Sequence, residues 1–191
     1  MSYLYGDIIL IHGENVIAGA IKNLTNSFFS HVALCTEKNM VAEMLHDGFK
    51  YHQNKYLQGR LAFIVLRHKK LIYSPPPVSF AIRHNMRQVI EHYRQHPPRY
   101  DYFEILRLAI KLLKEKGQQM FRAGQYYFTE KELLEIGQRL ICSALVDTVY
   151  EKAGIDLFPG RSPRDVTPAD LASLAKEPGN VFEIIDTYVP L

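Results

Sequence analysis

A thiol and an imidazole are the two side chains of this sequence best suited to covalent chemistry. The thiol is Cys142, within Ile141-Cys142-Ser143-Ala144-Leu145, and the imidazole is His31, in Ser30-His31-Val32-Ala33-Leu34. A free thiol titrates at about 8.5, so little of it is thiolate at neutral pH unless a helix N-terminus or an imidazolium lowers that value. A helix starting near Ile141 would turn unsatisfied N–H groups and the positive end of its dipole toward the sulfur. If one helix runs unbroken from Thr129, Cys142 lies in its middle and loses that help.

His31 is the best base among the eight histidines. It opens a β-like run and follows the aromatic pair Phe28-Phe29, where a ring can be partly buried and still reach a cleft. Glu43 is the second unusual residue. It stands between Val41 and Leu45 on one face of an apolar run, where an ionised carboxylate is costly without a partner. A hairpin turning at Glu37-Lys38-Asn39 would bring Glu43 toward His31, fix the imidazole tautomer and favour its charged form. The plainer alternatives are a buried core thiol at Cys142 and a water-facing edge-strand glutamate at Glu43.

The remaining cysteine, Cys35, alternates with His31 and Ala33 and reads as a small buried hydrophobe. Two cysteines are too few for a disulfide scaffold or a four-thiolate zinc site. His92 and His96 lie four apart on an expected helix, a spacing that suits a metal ion. No third ligand is near them in sequence, so a solvated helix end is the expectation, with no metal and no cofactor.

The elements that must position these groups are short. Asp7 to His12, His31 to Glu37, Met40 to Leu45 and Leu61 to Arg67 read as four strands, with turns at Gly13-Glu14-Asn15, Glu37-Lys38-Asn39 and His46-Asp47-Gly48. The brief second turn implies an antiparallel hairpin. Val16 to Leu24 has helical spacing. Pro75-Pro76-Pro77 is expected to stop regular structure, after which Val78 to Gln95 reads as a helix ended by Pro97-Pro98. Tyr102 to Lys116 is an amphipathic helix with a basic outer side, and Thr129-Glu130-Lys131-Glu132 a capping box. From Cys142 to Ala153 the apolar positions keep helical spacing, with Gly154 as the stop.

A chain of 191 residues fits a single domain over 1-191, able to bury roughly 70% of the surface it exposes when unfolded. With 47% hydrophobic and 23% charged residues the composition is globular, without low-complexity tracts. A net charge of +3, scattered apart from a cluster between Arg107 and Arg122, is too weak to argue for nucleic acid. The first residues lack the pattern of a signal peptide, and the run Ile8 to Ile11 is far short of the ~20 residues a membrane helix needs. A cytoplasmic protein with no stable membrane insertion is expected.

Gly6-Asp7-Ile8-Ile9, Ser30-His31-Val32-Ala33, Ala42-Glu43, Tyr100-Asp101-Tyr102 and Cys142-Ser143-Ala144-Leu145-Val146 together resemble the permuted papain-like cysteine hydrolases, the YiiX-like branch of the NlpC superfamily. The likeness extends to Tyr150-Glu151-Lys152-Ala153-Gly154-Ile155 and to Thr167-Pro168-Ala169-Asp170-Leu171. Each motif is weak alone; their shared order is more specific. In papain-type enzymes the cysteine usually precedes the histidine, and the reversed order here fits a circular permutation.

The resemblance implies an α+β fold, a circularly permuted papain-like arrangement with a small antiparallel sheet or partial barrel packed against helices. It implies Cys142 as nucleophile, His31 as base and Glu43 as the third polar residue, with Tyr100 and Ser143 serving the oxyanion or the substrate. The long gap from Tyr100 to Cys142 departs from the family pattern and reads as a helical insertion around 103-128, a candidate lid. Implied substrates are amides of peptides or amino-acid conjugates, including peptidoglycan-type peptides. Lipid-like acyl esters handled by a transferase or thioesterase, and a non-catalytic ligand-binding module on the same fold, are the alternatives.

Overall fold

The computed structural model describes residues 3–13, 27–45, 48–58, 60–97, 142–176 and 181–190. Among them, six antiparallel strands form one open sheet: β1 (Ile8–Ile11), β2 (His31–Cys35), β3 (Met40–Leu45), β4 (Gly48–Gln53), β5 (Phe63–His68) and β6 (Phe182–Tyr188). Their order is β4-β3-β2-β1-β5-β6. The helices are α1 (Lys70–Tyr73), α2 (Pro76–Gln95), α3 (142–152) and α4 (Pro168–Ser173), so the class is α+β.

β1 lies at the centre of the sheet and is buried on both faces, which is why Ile8 to Ile11 is an uninterrupted apolar run rather than an alternating one. Its register with β2 pairs Ile11 with His31 and Ile9 with Ala33. Those residues share a face with Cys35, Val41, Phe63 and Val65, under which Tyr56 packs. The opposite face, with Ile8, Leu10, Val32, Leu34, Ala42 and Leu66, carries the main core. Two helices supply most of its cover, with Leu71 of α1 and Leu171 of α4 added. Ile82, Met86 and Ile90 recur every fourth residue on α2, and Leu145, Val146, Val149 and Tyr150 line α3 at the spacing of a single apolar stripe.

Two expectations are corrected. The described residues hold six strands where the sequence predicts four, β4 and β6 being the two additions. In β4, Phe49 and Tyr51 alternate with Lys50 and His52, a period-2 pattern lying just beyond the His46-Asp47-Gly48 turn. In β6 two acidic residues, Glu183 and Asp186, interrupt the apolar positions. The proline run does not stop regular structure: Pro75 is the N-cap residue of α2, and Pro76 and Pro77 occupy its first turn. First-turn N–H groups have no acceptor within the helix, so proline costs nothing there.

The antiparallel β2–β3 hairpin is present, with Lys38 and Asn39 at positive φ in its turn. α3 ends before Gly154, whose φ of 86° provides the left-handed turn. The expected helices at Val16 to Leu24 and Tyr102 to Lys116, the Thr129 capping box and the 103-128 insertion lie outside the described residues.

Candidate catalytic site

His31 opens β2, and Glu43 sits near the far end of the neighbouring β3. Because β2 and β3 are antiparallel, the beginning of one strand lies beside the end of the other, which places Glu43 within reach of the ring. The carboxylate is fully buried. Its Oε2 accepts a hydrogen bond from His31 Nε2 at 2.5 Å and a second from the Tyr56 hydroxyl at 2.5 Å. Its Oε1 accepts from His52 Nε2, also at 2.5 Å, and Lys55 Nζ stands 3.8 Å away. Three donors and a nearby cation converge on one carboxylate.

That convergence answers the cost of burying the charge. Burial alone would push the Glu43 carboxyl up, but the hydrogen bonds from His31, Tyr56 and His52 outweigh it and hold the group down at about 2. Glu43 is therefore ionised across the ordinary pH range and acts as an acceptor only, so His31 Nε2 must carry the proton it shares. Nδ1 is then the ring nitrogen left for another partner.

Cys142, the first described residue of α3, is fully buried and hydrogen-bonded to the His31 side chain. Burial works against a charge on His31. The charge interaction and hydrogen bond with Cys142, joined by those with Glu43, overcome burial and raise the ring to about 9. The His31 side chain thus bonds both the Cys142 thiol and the Glu43 carboxylate. Ile141 and the residues immediately before it lie outside the described residues, and with them the expected helix start near Ile141.

The other sequence candidates are placed differently. Ser143 is fully buried and its hydroxyl donates to the Val166 carbonyl at 2.6 Å, tying α3 to the segment ahead of α4. Tyr100 lies outside the described residues. Cys35 is 2% exposed within the smaller core cluster, and burial pushes its thiol well above the usual range, which leaves it unreactive. The His92 and His96 rings stack 5.1 Å apart at the exposed end of α2. Among the described residues no group of three or more His, Cys, Asp or Glu side chains is placed to hold a metal ion. No described helix is long and apolar enough to cross a membrane.

Two residues of the constellation escaped the sequence reading. Tyr56 belongs to a short 3-10 turn at Tyr56–Gln58 that follows β4, and His52 lies on β4 itself. A signal for His52 existed. Glu43 pairs with Lys50 and Val41 with His52, so a fourth strand drawn in register would have put both basic residues on the carboxylate's face. Nothing periodic marks Tyr56.

Beside His31, the chain turns through an aromatic rim. Phe28 is 53% exposed, stacks on the His12 ring at 4.0 Å and meets Phe29 edge-on at 5.2 Å. His12 Nδ1 donates to the Phe28 carbonyl at 2.8 Å and Gly13 N–H to the Ser30 hydroxyl at 3.1 Å, fixing the approach to β2.

No protein-family model and no curated protein matches the chain. Among solved structures, the metalloprotein yiiX from Escherichia coli O157:H7 is similar to it, with a TM-score of 0.49 and 20% sequence identity over 98% of this chain and 88% of that one.

Proposed function

We propose that this chain is a cysteine hydrolase of the permuted papain-like kind, cleaving an amide bond in a peptide or amino-acid conjugate through a thiol acyl-enzyme. The observation that carries the reading is the His31 side chain bonded to both the Cys142 thiol and the buried, ionised Glu43. Cys142 and His31 act as a thiolate and imidazolium pair. The sulfur attacks the substrate carbonyl, the C–N bond breaks, and His31 passes its Nδ1 proton to the departing amine. A water molecule, deprotonated by the now neutral ring, hydrolyses the thioester and regenerates the pair. Glu43 orients the ring throughout and balances its charge.

The choice of an amide rests on the acid as well as on the family resemblance. An amine leaves only when protonated, and a ring raised to about 9 carries that proton throughout the neutral range. Thiolate leaving groups need no such acid. Peptidoglycan-type peptides fit this substrate class, and Tyr100 is proposed to support the oxyanion together with the Cys142 N–H. An oxyanion donor of this kind is worth roughly 3 kcal/mol. A cytoplasmic setting is part of the same proposal.

The test is alkylation of Cys142 followed across pH, read by peptide mass mapping, in the native protein and in His31→Ala, alongside a screen of amide and thioester substrates. The native thiol should react fast well below the pH of a free thiol, and the effect should vanish without His31. Cys142→Ala should abolish turnover on any substrate found. A Cys142→Ala protein that keeps full turnover, or a native thiol that reacts only after unfolding, overturns the proposal.

A further inference from the structure

Glu43 has two oxygens and both are fixed. Oε2 is shared between His31 Nε2 and the Tyr56 hydroxyl, and Oε1 is held by His52 Nε2. These two extra donors come from one stretch of chain, the end of β4 and the turn that follows it. His52 is itself anchored, since its Nδ1 faces the Gln53 carbonyl at 2.8 Å. The Tyr56 backbone N–H donates to Asn54 Oδ1 at 3.1 Å, which holds the turn that aims the phenol. The Tyr56 ring also lies beside the His31 ring, with centroids 6.0 Å apart.

We infer that His52 and Tyr56 are positioning residues, a two-sided clamp that fixes the rotation of the Glu43 carboxylate so that one chosen oxygen meets His31. The argument is geometric. A carboxylate on a flexible side chain can turn about its last bond, and a hydrogen bond weakens steeply once its donor and acceptor lose alignment. One donor on each oxygen, approaching from the same segment, removes that freedom. Burial alone does not explain the arrangement, because His52 remains partly exposed and still directs Nε2 inward. This inference rests on the proposed role of Glu43 in orienting His31, yet it can be tested without any substrate.

The experiment follows the His31 ring by NMR through a pH titration of the full chain, in the native protein and in Tyr56→Phe, His52→Leu and His52→Gln. Tyr56→Phe deletes one oxygen, and His52→Leu removes the other donor. His52→Gln keeps an N–H in nearly the same place. The midpoint of His31 should fall by about one pH unit in Tyr56→Phe and His52→Leu, the scale expected when a hydrogen bond to the charged form is lost. His52→Gln should titrate like the native protein. If Tyr56→Phe does not fold, the comparison of the two His52 variants decides the matter alone, since that side chain is partly exposed.

Midpoints that stay in place, or rise, overturn the clamp, a rise meaning that the donors only damp the carboxylate's charge. Equal shifts in His52→Leu and His52→Gln also overturn it, because donor geometry would then be irrelevant. The outcome is separable from the hydrolase reading. A midpoint that falls as expected while Cys142 alkylates like an ordinary thiol leaves the clamp standing and removes the hydrolase.

Discussion

Glu43 spends its charge on its neighbours, and the pH dependence of stability should record this. The folded value of His31 is raised to about 9 from 6.5, so its contribution is complete below about 6.5 and is lost as pH rises through about 9. Glu43 is lowered to about 2 from 4.5, so its contribution is complete above about 4.5 and is lost as pH falls toward about 2. The window of greatest support lies between about 4.5 and 6.5. Glu43→Gln keeps the shape and removes the charge. Its thermal midpoint should change less between about pH 6.5 and about pH 9 than that of the native protein, as followed by circular dichroism; parallel curves would mean that the pair adds nothing to folding. The pairing of Glu43 with His31 was legible because a carboxylate on an apolar strand face demands a partner. Tyr56 was not, because its place is set by a turn that brings residues together only after the sheet forms.

At the level of elements, α4 begins with a cap that can be tested directly. The Thr167 hydroxyl accepts from the Asp170 N–H at 3.2 Å, while Asp170 Oδ2 accepts from the Thr167 N–H at 2.7 Å and from Arg161 at 2.9 Å. Thr167→Ala removes one half of this reciprocal pair and should cost about 1 kcal/mol, read from denaturant unfolding with an unchanged slope. A loss below a few tenths would mean that Arg161 and Asp170 hold the segment unaided. The cap matters to the site because Val166, one residue earlier, receives the Ser143 hydroxyl from α3. α3 was readable from its apolar stripe and Gly154, and the four strands found in the sequence have continuous or alternating apolar patterns. β6 was harder. It follows a long stretch of chain, it carries Glu183 and Asp186, and its pairing with β5 contains an irregularity at Val65/Leu66 that breaks simple alternation. Edge strands of this kind take their conformation from the neighbour they pair with rather than from their own pattern.

Across the whole molecule, the helix that carries Cys142 is pinned at its opposite end to the start of the sheet. Tyr150 is fully buried, and its hydroxyl donates to the Gly6 carbonyl at 2.5 Å. Gly6 sits at a φ of 100°, and a Cβ there would meet Met86 Sδ at 2.8 Å and Leu71 Cδ1 at 3.0 Å, so only glycine lets α1, α2 and the lead into β1 close together. Asp7, next in the chain, is buried and receives both Arg67 Nε at 2.8 Å and a second guanidinium nitrogen at 2.6 Å. The far end of α3 is thus anchored in a rigid, fully bonded corner, while its near end meets a histidine on the sheet. Tyr150→Phe deletes the anchor without opening a cavity and leaves a buried carbonyl short of a donor, a loss of about 1–3 kcal/mol. Stability should drop by that amount in denaturant, yet the pH at which Cys142 becomes reactive should not move, because His31 and Glu43 are untouched. If that pH rises with the loss of stability, then the anchor does more than stabilise: the seating of α3 on the sheet sets the distance from sulfur to imidazole, and the corner around Gly6 belongs to the machinery of the site.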